Sequence, residues 1–125
     1  MLLLFGFLIA CFVQEDQSSS SCEGISDAAK RASCITNQCD QLSDIDKDDC
    51  YHKNIQKIDG NEMNLVLQLA KKIEDTMIQG TAISTWVKNN NTNLNQQQGR
   101  QLCELLQGRD RFYCMRRLSS PHLKR

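Results

Sequence analysis

Residues 39–50 read CDQLSDIDKDDC, and this stretch decides how the first half of the chain is organised. Five aspartates and one lysine lie between two cysteines. Ser43 is followed at once by an acid, as is typical of a helix N-terminus, where carboxylates oppose the positive end of the helix dipole. We therefore predict that a first helix ends near this stretch and that a second runs from Ser43 to about Ile58. Residues 39–50 then form the hinge between the two helices.

The spacing of these aspartates also invites comparison with a calcium-binding loop. Asp44, Asp46 and Asp48 alternate as in an EF-hand, but such a loop needs glycine at its sixth position and glutamate at its twelfth. Those positions hold Asp49 and Ile55. We therefore predict no metal site here. The carboxylates are interpreted as an acidic patch at a helix N-terminus, formed by Asp44, Asp46, Asp48 and Asp49.

The chain begins with an unbroken apolar run, Met1–Val13, followed by the polar stretch QEDQSSSS. The run is too short to span a bilayer, which takes roughly 20 apolar residues. It is typical of a secretory signal, with cleavage between about Val13 and Ser20. We assign residues 1–18 to this signal peptide and the start of a Ser-rich linker, and predict secretion. In an alternative interpretation, Leu8–Cys11 is a bacterial lipobox, and Cys11 carries a lipid anchor.

Six cysteines remain after the leader, and an even number in a short secreted chain predicts a disulfide framework. They are Cys22, Cys34, Cys39, Cys50, Cys103 and Cys114. Six cysteines allow 15 pairings, and the sequence alone does not choose among them. In a continuous helix, Cys103 and Cys114 would stand roughly 16 Å apart, too far to bond. We therefore expect each of these two to pair with one of the four N-terminal cysteines.

Helical periodicity dominates the rest of the chain, whose single proline is Pro121. We predict a first helix from Ser26, a third over residues 61–80 and a last over residues 97–118, with a polar loop over residues 89–98. The predicted apolar stripes are Met63, Val66, Leu69, Ala70, Ile73 and Met77 on the third helix, and Leu102, Leu105, Leu106, Phe112 and Tyr113 on the last. The fold class is therefore all-α: a small disulfide-stapled bundle of four to five helices over residues 19–118. A basic polar tail, residues 119–125, follows it.

Charge is unevenly distributed although the formal net charge is zero. Residues 100–125 are strongly basic, and the predicted basic patch is Arg109, Arg111, Arg116 and Arg117. A nucleic-acid-binding protein would show a dominant basic excess, so nucleic acid is not an expected partner. An anionic glycan or an anionic membrane surface remains a candidate partner for the basic patch.

The sequence offers little for catalysis. Its two histidines are His52 and His122, and it contains neither a GxSxG nor an HExxH motif. We predict no catalytic residue, no cofactor and no enzymatic activity. Asn90, in the triplet Asn90-Asn91-Thr92, is a candidate N-glycosylation site.

Together, the leader, the cysteines and the charge polarity predict a secreted helical protein that acts by binding an extracellular protein or receptor, as a toxin, effector or signalling ligand does. An alternative is an extracellular carrier that encloses a small apolar ligand. In that case the cavity would be lined by Met63, Leu69, Met77, Trp86 and Phe112.

Overall fold

A computed structural model describes residues 22–119, and this part of the chain is all-helical. A short 3-10 turn, Cys22–Gly24, precedes six α-helices. These are α1 (Ala28–Cys39), α2 (Asp44–Ile55), α3 (Met63–Ala70), α4 (Thr76–Asn90), α5 (Gln96–Cys103) and α6 (Gly108–Ser119). The predicted disulfide-stapled all-α bundle is confirmed, with one helix more than the upper expectation. The predicted signal peptide, Cys11 and the tail beyond Ser119 lie outside the described residues.

The hinge predicted for residues 39–50 is present. The side chain of Asp27 caps α1 by accepting a hydrogen bond from the Lys30 amide at 3.1 Å. Helix α1 ends at Cys39, and α2 begins after Ser43, although the Ser43 side chain makes no capping hydrogen bond. Helix α1 begins at Ala28, two residues later than predicted, and α2 ends at Ile55, three residues earlier than predicted.

The three disulfides within residues 22–119 are all local. Cys22 bonds to Cys34, Cys39 to Cys50, and Cys103 to Cys114, at sequence separations of 12, 11 and 11. The expectation that Cys103 and Cys114 pair with N-terminal cysteines was wrong. Each disulfide instead links neighbouring elements of one short hairpin, and none of the three joins the N-terminal helices to the C-terminal pair.

The prediction for Cys103 and Cys114 failed because it assumed one continuous last helix. In the structure this helix breaks between Cys103 and Gly108. Gly108 adopts a φ of 56°, a left-handed conformation that favours glycine and turns the chain back on itself. The Arg111 guanidinium then donates to the carbonyl oxygens of Leu106 at 2.9 Å and Glu104 at 2.8 Å. These bonds satisfy carbonyl groups that the broken helix leaves without partners.

The predicted third helix also breaks, between Ala70 and Thr76. The buried Asp48 carboxylate of α2 accepts hydrogen bonds from the backbone amides of Glu74 at 3.2 Å and Asp75 at 2.9 Å. Asp75 in turn caps α4, accepting from the amides of Met77 and Ile78. We call this arrangement, in which Asp48 holds the amides of residues 74 and 75, the Asp48 clamp. It fixes the start of α4 against α2.

Helix α4 occupies the centre of the bundle and packs against both α2 and α6. Trp86 is buried on its inner side and donates a hydrogen bond from Nε1 to the Ile58 carbonyl at 2.8 Å. The largest fully buried side chains are Trp86, Tyr51, Ile55, Leu69, Ile83 and Leu102, contributed by α2 through α5. A single core therefore connects the two ends of the described chain without a covalent link between them.

Three residues assigned to the apolar stripes face solvent instead. Met77 is 77% exposed, Phe112 61% and Tyr113 44%. The predicted stripes assume that each helix is continuous. After a break, the next helix begins with a new orientation of its faces. Residues beyond the break then present a different face to the core from the one that the periodicity predicts.

The first testable consequence concerns the Asp48 clamp. Replacing Asp48 with asparagine keeps its shape but removes the charge and one of the two acceptor oxygens that hold the amides of Glu74 and Asp75. We expect Asp48→Asn to lower the free energy of unfolding by about 2–3 kcal/mol. Denaturant unfolding under oxidising conditions, followed by circular dichroism, measures the loss.

Asp46→Asn is the matched control for this experiment, because Asp46 lies on the same helix but is exposed. Its replacement should cost less than about 1 kcal/mol, the size of a helix-dipole effect at the surface. Equal losses in the two variants would contradict the clamp.

A second consequence concerns alkaline stability. Burial and the hydrogen bond that the Tyr51 hydroxyl donates to Asp40 at 2.6 Å raise the pKa of Tyr51 to about 12, from an ordinary value of 10.0. In the folded state the Tyr51 hydroxyl therefore keeps its proton at a pH at which the same hydroxyl in the unfolded chain has lost it. This stabilisation is complete below pH 10 and is lost as the pH rises towards 12. The expected loss is on the order of 2 kcal/mol.

Comparison of the parent with Tyr51→Phe isolates this effect from other groups that titrate in alkali. The variant lacks the hydrogen bond and should be less stable at neutral pH by about 1 kcal/mol. The difference between the two unfolding free energies should shrink, and then reverse, between about pH 10 and pH 12. A difference that stays constant with pH would contradict the assignment.

Candidate functional site

Exposed apolar side chains are concentrated on one face of the bundle. The large hydrophobic residues exposed within residues 22–119 are Leu42, Ile45, Met77, Phe112 and Tyr113. Four of them come from three helices that pack side by side: Ile45 from α2, Met77 from α4, and Tyr113 and Phe112 from α6. We call these four residues the apolar strip.

Two open grooves make the strip continuous. The first, of about 340 Å³, lies between α2 and α4 and is lined by Ile45, Asp49, His52, Met77 and Thr81, among others. The second, of about 370 Å³, lies between α4 and α6 and is lined by Met77, Thr81, Ser84, Tyr113 and Arg117, among others. Met77 and Thr81 line both. Met77 therefore stands as a ridge between two depressions, with Ile45 on one side and Tyr113 on the other.

The α6 end of the strip is an aromatic pair flanked by arginines. The rings of Phe112 and Tyr113 meet edge to face, with centroids 5.6 Å apart. Arg109 and Arg116 lie three or four residues from each ring, and this spacing places all four residues on the same face of α6. Both arginines are exposed.

Close packing between helices holds this face in shape. The Asp48 clamp fixes α2 against the start of α4, next to Met77. At the other side, α4 and α6 pack closely near Gly80, where an added Cβ atom would lie 2.9 Å from a carboxylate oxygen of the exposed Asp110 side chain. The strip is therefore carried by helices whose relative positions are set by buried or tightly packed contacts.

The strip is electrically polarised from one end to the other. Helix α2 contains four aspartates and two lysines, and α6 contains four arginines and one aspartate. On α2, Lys53 pairs with Asp49 at 3.0 Å, and Lys47 pairs with Glu74 of the α3–α4 segment at 3.8 Å. Of the ion pairs found between residues 22 and 119, none includes an α6 arginine. The acidic and basic patches therefore lie on opposite sides of α4 and do not neutralise each other.

The four residues of the predicted acidic patch divide into two roles. Asp44, Asp46 and Asp49 are at the surface, and Asp44 adopts a left-handed φ of 50°, which aspartate tolerates better than most residues. Asp48 is only 5% exposed and is the residue of the clamp. It therefore belongs to the interior of the protein and not to the patch.

The four residues of the predicted basic patch divide in the same way. Arg109 and Arg116 are exposed, and Arg117 is half-buried and lines the groove between α4 and α6. Arg111 is engaged with the carbonyl oxygens at the end of α5. The basic surface available to a partner is thus carried mainly by Arg109, Arg116 and Arg117.

Asn90 ends α4, and its Nδ2 atom donates to the Trp86 carbonyl at 2.8 Å. This is the nitrogen to which an N-linked glycan attaches, and the residue as a whole is half-buried in the folded protein. Glycosylation at Asn90 stays a prediction, and the geometry favours attachment before the chain has folded.

The residues proposed for a ligand cavity are separated in space. Met63, Leu69 and Trp86 lie in the packed core, whereas Met77 and Phe112 lie at the surface. Over residues 22–119, no group of three or more His, Cys, Asp or Glu side chains is placed to hold a metal ion.

Sequence reasoning missed the exposure of all four members of the strip, since Met77, Phe112 and Tyr113 were predicted to face the core and Ile45 was given no role. Ile45 stands alone among aspartates, and an isolated apolar residue carries no periodic signal. Met77 fits the apolar stripe of the preceding helix and was assigned to the core for that reason. On α6 the arginines were predicted as a basic patch but the aromatic residues were not, although the spacing of residues 109, 112, 113 and 116 is a signal that would have placed them on one face.

The chain was compared with known protein families, curated proteins and solved structures. No family model, curated protein or solved structure matches the chain. Within residues 22–119, no helix has both the length and the apolar character needed to cross a membrane.

Proposed function

We propose that this chain is a secreted, non-catalytic binding protein that docks an extracellular protein on its apolar strip. The observation that carries the proposal is the alignment of Ile45, Met77, Tyr113 and Phe112 across three neighbouring helices. Single exposed hydrophobic residues are common on protein surfaces, whereas a continuous row of them marks an interaction site.

The composition of the strip supports a protein as the occupant. Methionine, tyrosine, phenylalanine and arginine are enriched at protein–protein interfaces, where aromatic and arginine side chains contribute most of the binding energy. The two grooves beside Met77 offer depressions in which a partner's side chains would be desolvated. Three intramolecular disulfides are compatible with an oxidising extracellular compartment.

The proposal predicts that a charge at the centre of the strip weakens partner binding. The purified protein would be tested against an array of secreted proteins and receptor ectodomains, in parallel with Met77→Glu. We expect at least one array protein to bind the parent and to lose about tenfold or more in affinity for the variant, because Met77 separates and lines both grooves. Surface plasmon resonance on each hit measures the change.

Gln68→Glu is the control, because it adds the same charge at an exposed position of α3, away from the strip. It should bind like the parent. Hits that bind the parent and Met77→Glu equally would overturn the proposal. Retention on heparin that is lost in an Arg109→Ala, Arg116→Ala variant but kept in Met77→Glu would also overturn it, and would assign the face to an anionic glycan.

A further inference from the structure

We propose that a second copy of this chain docks on the apolar strip, giving a two-fold symmetric dimer. The inference rests on the proposed function, in that it takes the strip to be a binding surface, and it names one occupant of that surface. The reason is that the strip is complementary to itself in both shape and charge.

The charge pattern is the first step of the argument. The exposed Asp46 and the half-buried Asp49, which pairs with Lys53, lie at the α2 end, and the exposed Arg109 and Arg116 lie at the α6 end. The α6 arginines form no ion pair with the acids of residues 22–119. Asp46 at the α2 end and Arg109 and Arg116 at the α6 end therefore carry charge that no ion pair within residues 22–119 neutralises, whereas Asp49 is shared with Lys53.

Symmetry is the second step. In a two-fold dimer the same patch is used by both subunits, so a residue at one end of the patch faces a residue at the other end. An axis passing near Met77 would place the α2 end of each copy over the α6 end of the other. Aspartates would then face arginines twice, and the apolar centres would cover each other around Met77.

The strip also has the shape that this arrangement needs. Met77 is a ridge between two grooves of similar volume, about 340 and 370 Å³. The Met77 side chain of one copy, displaced slightly from the axis, has a depression to enter on the other copy. The formal net charge is zero for the whole chain and +2 without residues 1–18, which contain Glu15 and Asp16, so little overall repulsion opposes association of two copies.

The size of the face sets the expected strength. Neighbouring helices pack about 8–10 Å apart, and a helix of twelve residues is about 18 Å long, so three of them present on the order of 500 Å². A standard stable interface buries about 800 Å² on each partner. We therefore expect reversible association with a dissociation constant of roughly 1–100 μM that weakens as salt is added.

Sedimentation equilibrium of the full chain, expressed in a secretory host and purified as the host processes it, tests the dimer. The parent should pass from monomer to dimer over the micromolar range, and Met77→Glu should remain monomeric. Gln68→Glu should behave like the parent. Circular dichroism and denaturant midpoints establish that each variant is folded.

Charge reversal tests the proposed orientation. An acid-reversed variant, Asp46→Lys with Asp49→Lys, should not dimerise, because lysines would face arginines. A base-reversed variant, Arg109→Glu with Arg116→Glu, should fail for the opposite reason. An equimolar mixture should form a heterodimer, since lysines of one subunit then face glutamates of the other and the native pair is kept on the second side.

A parent that is monomeric up to about 1 mM would overturn the dimer, as would a dimer that is insensitive to both Met77→Glu and charge reversal. Dimerisation that appears only after residues 1–21 are removed would also overturn it and would assign the strip to that segment. Failure of the dimer is distinguishable from failure of the proposed function. A monomeric parent whose ectodomain binding is lost in Met77→Glu would leave the proposed function in place.

Discussion

The hydrogen bonds between the Asp48 carboxylate and the amides of Glu74 and Asp75 are the interaction on which the arrangement of this protein depends. The amides at the start of a helix have no partners within it and need an acceptor. Asp48, which is buried on a different helix, accepts from the amide of the N-cap residue Asp75 and from that of Glu74 just before it. It therefore fixes both where α4 begins and where α4 lies relative to α2.

The disulfides have a different role, because all three close loops of similar and short length. In the chain-entropy view, a loop of about twelve residues contributes about 3 kcal/mol by restricting the unfolded state. This stabilises individual hairpins, one at the N-terminal helices and one formed by α5 and α6, but it does not orient them relative to each other. Their orientation depends on α4, through Trp86 in the core and the Asp48 clamp at the helix start.

Sequence reasoning predicted the local features of the fold. The all-α class, the hinge at CDQLSDIDKDDC and the start of α2 after Ser43 follow from helix signals within a few residues of each position. Gly108 is itself a local signal for the break in the predicted last helix, since glycine weakens a helix interior. The repeated spacing of eleven residues, from Cys39 to Cys50 and from Cys103 to Cys114, was available as a sign that both pairs close the same kind of hairpin.

What the sequence did not predict are features that depend on distant residues. The apolar periodicity continues from Met63 through Met77 without a visible break. In the sequence, Asp75 looks like an ordinary acidic residue of a helix. Only the structure shows that its amide donates a hydrogen bond to Asp48, 27 residues earlier. The exposure of Met77 follows from that break, so the centre of the strip could not be found before the clamp was known.

The same contacts separate the residues that maintain the fold from those that form the strip. On α2, Asp48, Tyr51 and Ile55 face inward, while Ile45 and Asp49 reach the surface. On α4, Trp86 faces the core and Met77 faces solvent. Because the helices are fixed by inward-facing groups, the outward-facing apolar groups are not needed to hold the bundle together. Their contact with water in a free monomer costs free energy. A partner that covers the strip would remove this cost without altering the core, and the opposite charges at the two ends of the strip would set the orientation in which it binds.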